Sequence, residues 1–156
     1  MKKIVKTIKY RLATDVFNEL VNNINVDAVD GLMGMKKIYK GALIQPIPLT
    51  HEKFRTRGFN LAGLLAEYFS KTLGLKTADY LMRKNGGTPQ AEAGSRKERY
   101  LNVRGKFVLR PGIRTIHKKI IVVDDIVTSG ATIRDAVRAL KKSGAETVYG
   151  LSLAAG

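Results

Sequence analysis

Two adjacent carboxylates, Asp124 and Asp125, follow the apolar run Ile120 to Val123 and precede Thr128-Ser129-Gly130-Ala131-Thr132. Carboxylates are costly inside a sheet but tolerable at its rim, where ligand hydroxyls or a cation can pair with them. They accept hydrogen bonds from vicinal ribose hydroxyls, and they also hold hydrated Mg2+. Successive strand residues point to opposite faces, so the two acids need not share one role. The five small residues after them let the backbone curl until several amide N–H groups converge. Gly130 admits a positive φ, the hydroxyls of Thr128, Ser129 and Thr132 add donors, and the N-terminus of a following helix adds partial positive charge. Ribose-binding acids and a phosphate cradle a few residues apart match a ribose 5-phosphate.

Other nucleotide motifs fit less well. The chain has no Gly-Lys-Ser/Thr phosphate loop and no Gly-x-Gly-x-x-Gly fingerprint. Phosphoacceptor receiver domains also carry an acidic pair after an apolar strand, but near the N-terminus, and too little chain follows residue 124 to complete that architecture. A plain strand-to-helix turn capped by Asp and Thr would not need five suitable residues after two acids.

These residues need a scaffold, and the pattern of the chain predicts one. Ile4, Ile8, Leu12, Val16, Leu20 and Ile24 recur at helical spacing over residues 3–24, with a break expected near residues 13–15. Asp30 to Gly34 reads as a turn. Residues 42–48 read as a short apolar strand stopped by Pro46 and Pro48, because proline removes ladder donors. Asn60 heads a helix with Leu61, Leu64, Leu65, Tyr68 and Phe69 on one side and Gly74 as its stop. Short strands are expected at 80–82 and 106–109, a buried strand at 120–123, a helix at 131–143 and a last strand at 146–153. In that helix Ile133, Val137 and Leu140 should face inward, with Arg134, Arg138, Lys141 and Lys142 outward. Strand and helix alternate through the second half, which predicts an α/β fold with a mainly parallel central sheet flanked by helices. Residues 83–105 hold paired glycines, a proline and many charges, and read as a long flexible loop.

With 156 residues and 44% hydrophobic content, the expectation is one domain, residues 1–156, with an N-terminal helical segment over 1–40. There is no cysteine, so disulfides, thiol catalysis and Cys-ligated zinc are excluded. No apolar run has signal-peptide or membrane-spanning length, so a cytoplasmic protein without membrane insertion is expected. The net charge is +15, and residues 81–119 alone hold eleven Lys or Arg against Glu92 and Glu98. Such a field suits nucleic acid, phosphorylated metabolites or an acidic protein surface, and it equally suits a merely solubilising face.

VVDDIVTSGAT resembles the phosphoribosyl pyrophosphate (PRPP) signature of type I phosphoribosyltransferases. QPIPLTHEKFRTRGFNLAGLLA and RKNGGTPQAEAGSRKERYLNVRGKF resemble the ComF family, a competence-associated branch of that superfamily, and the resemblance covers residues 40–155. It implies a type I phosphoribosyltransferase-like fold with a small hood. It also implies that Asp124 and Asp125 contact the ribose hydroxyls and Mg2+, directly or through water, and act at the catalytic centre. Thr128, Ser129, Gly130, Ala131 and Thr132 would hold the 5′-phosphate. Pro46, Ile47, Pro48 and Leu49 would form the pyrophosphate loop, and residues 83–104 would close over the sugar. Arg83, Lys84, Arg96 and Arg99, with Arg55 and Arg57 after the prolines, are the candidate phosphate contacts. His51 and Lys53 lie nearby, His51 as a loop residue.

Two positions depart from the family. Its members commonly carry a four-cysteine zinc ribbon, absent here, so no zinc is expected. Leu61 stands where glutamine is frequent. Three functions remain open at this level. One is PRPP-dependent transfer to an unidentified acceptor, as in nucleotide metabolism. Another is PRPP binding in DNA uptake and natural transformation, with competence or recombination proteins as partners. The third is single-stranded DNA binding through the basic strip 83–119.

Overall fold

The strand stopped by proline sets the layout. In the computed structural model, which describes residues 15, 17–19, 21, 22, 26–84 and 105–156, β1 (Leu43–Pro46) lies between β2 (Lys76–Thr77) and β5 (Lys119–Val127). With β6 (Thr147–Ala155) beyond β5, the order is β2-β1-β5-β6 and every pairing is parallel. A parallel sheet has both faces covered, and this explains the unbroken Ile120-Ile121-Val122-Val123 run. Ile120 and Val122 pack against Ala136 and Leu140 of helix α5 (Ala131–Lys142). Ile121 and Val123 pack with Leu64, Leu65 and Phe69 of α4 (Leu61–Leu73) on the other face. All four strand residues are fully buried, each worth about 1.5–3 kcal/mol over an exposed side chain. Helix α4 ends as expected at Gly74, whose left-handed φ of 68° returns its N–H to the Ser70 carbonyl.

A second, two-stranded antiparallel sheet covers the α5 side. It pairs β3 (Leu81–Arg83) with β4 (Phe107–Leu109), Arg83 opposite Phe107. Leu81 and Phe107 join Ile120 and Val122 in the core. Arg83 is therefore the last residue of a ladder rather than the first of a loop. Residues 85–104, which hold most of the expected flexible loop together with Arg96 and Arg99, lie outside the described residues.

Three other expectations need correction. Residues 30–34 belong to helix α1 (Val26–Gly34), followed by the short α2 (Lys36–Tyr39). Gly31 and Gly34 do not take positive φ, and Leu32 packs on the core that includes Phe17 and Tyr39. Tertiary packing here outweighs the modest helix penalty of glycine. His51 is no loop residue: it opens helix α3 (His51–Arg57), where Thr50 accepts the Lys53 N–H at 3.2 Å and Gly58 stops the helix at φ 82°. Strand β5 also runs to Val127, because β6 supplies partners as far as Val127 opposite Ala155. Of the residues expected in the first helix, 15, 17–19, 21 and 22 are described and helical. Among the described residues no helix is long and apolar enough to cross a membrane.

Candidate functional site

Strand β1 stops at Pro46, paired with Val123, and the Ile47 N–H makes the last bond to the Val123 carbonyl at 2.8 Å. Beyond that point β5 continues from Asp124 to Val127 with, among the described residues, only β6 paired to it. The two aspartates are the first residues of this overhang, inside the strand and still at the carboxyl edge of the sheet. Alternation puts Asp124 on the α5 side with Ile120 and Val122, and Asp125 on the α4 side. Asp124 Oδ1 accepts the Asp125 N–H at 3.1 Å, and Asp125 Oδ1 accepts the Ile126 N–H at 2.9 Å.

The Asp124 carboxyl is pushed up to about 6 from an ordinary 3.8, chiefly by burial and then by Asp125, with Arg83 opposing. Its folded form therefore holds a proton more tightly than the unfolded chain. The stability it contributes is complete below about pH 4 and is lost as pH rises through 6. Asp124→Asn should accordingly melt higher than the parent at pH 7 and level with it below pH 4. Discounted for the solvent that reaches the group, the gain is on the order of 1 kcal/mol, or about 2–4 °C. Equal melting temperatures at pH 7 would contradict this.

The cradle follows. Gly130 takes φ 68° and α5 begins at Ala131, whose N–H donates to Ser129 Oγ at 3.4 Å. No side chain at the cap position competes for the first-turn amides, which leaves a helix N-terminus open to an anion. The Arg134 guanidinium, exposed as expected, donates to the Ser129 carbonyl. A Cβ on residue 130 would sit 3.3 Å from Arg134 Nη1, the movable end of an exposed side chain, so it is the positive φ that calls for glycine. Asp124 and residues 126–133 line one recess of about 30 Å³. This brings Asp124 together with Thr128, Ser129, Gly130, Ala131 and Thr132. Asp125 is not part of its lining.

A larger cleft of about 530 Å³ is lined by Pro46, Pro48, Leu49, His51, Phe54, Asn60, Asp79, Met82, Arg83 and Arg110. Of the expected pyrophosphate loop, Pro46, Pro48 and Leu49 line it, while Ile47 turns into the core at 4% exposure. Asn60 holds that turn through its Nδ2 donation to the Ile47 carbonyl at 3.0 Å. Gln45, fully buried, donates to the Pro46 carbonyl and accepts the Tyr80 N–H, both at 2.7 Å. Arg55 and Arg57 are exposed on α3 and do not line the cleft. Lys84 is exposed, and its N–H donates to the Lys106 carbonyl at 2.8 Å.

Arg83 lines this cleft and is close enough to Asp124 for their charges to interact. Its guanidinium lies 5.6 Å from the Phe107 ring centroid. Burial lowers its pKa, while the charges of Asp124 and Asp135 raise it. Lys106 was not legible as a site residue, yet it stands in the same field. Burial lowers its pKa first, then Arg83; Asp135 raises it, and Lys53 lowers it further. Of these cations Arg83 acts on Asp124 directly, and Lys106 shares the field of Arg83 and Asp135. The basic strip, by contrast, divides. Lys118 pairs with Glu146 at 2.9 Å, and Lys119 Nζ donates to the Ile38 and Lys40 carbonyls, all at the amino end of β5. Arg110 pairs with Asp79 at 2.9 Å.

Among the described residues no group of three or more His, Cys, Asp or Glu could hold a metal ion. Asp124 and Asp125 suit an ion that completes its shell with water and ligand oxygens, as Mg2+ does. The raised pKa of Asp124 marks negative charge short of compensation, which a cation would relieve.

The phosphoribosyl transferase domain family matches residues 55–154. Competence protein F of Haemophilus influenzae is 30% identical over 114 residues, 71% of this chain and 50% of that protein. Competence protein ComFC of Streptococcus pneumoniae is 32% identical over 117 residues, 75% of this chain and 50% of that protein. The solved adenine phosphoribosyltransferase of Leishmania tarentolae superposes with a TM-score of 0.47 at 13% identity, over 84% of this chain and 59% of that one. The chain spans about half the length of the curated relatives it matches. From the family match, the parallel sheet and the signature on its carboxyl edge, the chain belongs to the phosphoribosyl transferase domain family, in its ComF branch.

Proposed function

We propose that the site binds PRPP, or a closely related ribose 5-phosphate, together with Mg2+. The observation that carries this reading is the shared recess of Asp124 and the five-residue cradle, with Arg83 on the side toward the proline turn. The cradle takes the 5′-phosphate, the aspartates take the ribose hydroxyls, and Arg83 and Lys106 face the pyrophosphate. Asp124 and Asp125 are the residues to hold Mg2+, directly or through water, and the ion, when bound, neutralises pyrophosphate oxygens. In a transfer reaction the C1′–O bond breaks, pyrophosphate leaves with the electron pair, and an acceptor bonds to C1′. Preorganised cations lower that barrier by matching the developing charge. The similarity to two competence proteins supports a competence-associated role, which this reading assigns to DNA uptake in the cytoplasm with competence or recombination proteins as partners. An enzyme of nucleotide metabolism with an unidentified acceptor would use the same site.

Calorimetric titration of PRPP with Mg2+ tests the reading, and saturable binding of one equivalent is expected. Silence from a folded chain with both aspartates intact would sink it. A pyrophosphate-release assay with candidate acceptors then separates binding from turnover. Single-stranded DNA titrated over a range of salt tests the third function, which requires affinity that falls steeply with salt.

A further inference from the structure

Asp135 lies one turn into α5 from the cradle and is only 3% exposed. A buried carboxylate needs full compensation. Its Oδ1 accepts the Gly105 N–H at 2.7 Å and Arg138 Nη1 at 3.0 Å, and its Oδ2 accepts the Lys106 N–H at 2.8 Å and the Phe107 N–H at 3.3 Å. Three successive amides thus converge on one side chain from a segment 28 to 30 residues away. An apolar residue at this position would leave all three amides unpaired.

What these bonds hold is the entry into β4. Phe107 is the partner of Arg83 in the ladder and supports its guanidinium. The Lys106 carbonyl accepts the Lys84 N–H at 2.8 Å. From the helix that opens with the cradle, two contacts therefore reach Arg83, and one reaches Lys106. We propose that Asp135 is a positioning residue that sets the distance between the 5′-phosphate cradle and the cations Arg83 and Lys106, and so lets the site read the pyrophosphate end of its ligand. This rests on the sugar-phosphate reading above. The charge of Asp135 also favours the cationic forms of both Arg83 and Lys106.

The test compares PRPP with ribose 5-phosphate, each titrated with Mg2+ into the parent and into Asp135→Asn. The asparagine amide matches the carboxylate in shape but cannot accept from all three backbone N–H groups. PRPP affinity should fall by about tenfold or more, because a misplaced cation loses its contact, while ribose 5-phosphate affinity should change by less than about twofold since the cradle stays intact. A residue that only supports the fold would lower both alike, and that result overturns the proposal. So does a parent that binds the two ligands equally. A parent that binds neither sinks the sugar-phosphate reading itself. If Asp135→Asn does not fold, Arg138→Gln keeps the carboxylate and its three amides and removes one restraint. There a smaller loss confined to PRPP is expected, and parallel losses overturn the proposal.

Discussion

Replacing Asp124 and Asp125 together by asparagine is expected to weaken PRPP binding at least about a hundredfold, with the chain still folded. Hydrogen bonds to a charged group are worth about 1.5–3 kcal/mol each, and the pair would lose two such interactions with the ribose or with Mg2+. At 1.4 kcal/mol per factor of ten, the loss is about two orders of magnitude or more. The fold should survive, because the burial that raises the Asp124 pKa makes its ionised form a cost at neutral pH. Calorimetry and a thermal melt of the same preparation decide the matter. Retained affinity in a folded double variant would remove the aspartates from the site.

The second large effect is structural. Gln45→Leu should lower stability by about 2–6 kcal/mol, because it leaves the Pro46 carbonyl and the Tyr80 N–H unpaired in the interior at about 1–3 kcal/mol each. The two chains are of similar size, so packing loss is minor and the polar cost dominates. For a domain of this length the melting temperature should drop by about 5–15 °C. Gln45 ties β1 and the proline turn to the segment that leads into β3, so the cleft beside Arg83 should loosen as well. A melting temperature within about 2 °C of the parent would show that water or another group satisfies the two backbone atoms.

Much of this architecture was written locally in the chain. Four consecutive β-branched residues announced a strand covered on both faces, two prolines announced where its neighbour stops, and Thr128 to Thr132 announced the cradle. The features that escaped depend on partners far along the chain. Asp135 looks like one more polar residue on a charged helix, although it shares a helix row with buried Ala131. Its amide partners begin only after the 85–104 segment. Gln45 sits in a strand pattern as a lone polar residue, and its acceptor role is filled 35 residues away. The two described ends of the basic strip 83–119 are likewise placed by distant parts of the chain. Lys106 stands just before β4, whereas Lys118 and Lys119 meet Glu146 and the Ile38 and Lys40 carbonyls at the amino end of β5.

The four-residue overhang of β5 also bears on how the chain behaves among its own copies. At about 3.3 Å per residue it leaves some 13 Å of strand unpaired on the β1 side among the described residues. A bare strand edge of that kind recruits strands from other chains unless charge or local hydrogen bonding blunts it. Here the two carboxylates supply charge, and Asp124 also accepts the Asp125 N–H that faces the open side. The acids proposed to meet a ligand are therefore also placed to discourage self-association along this edge.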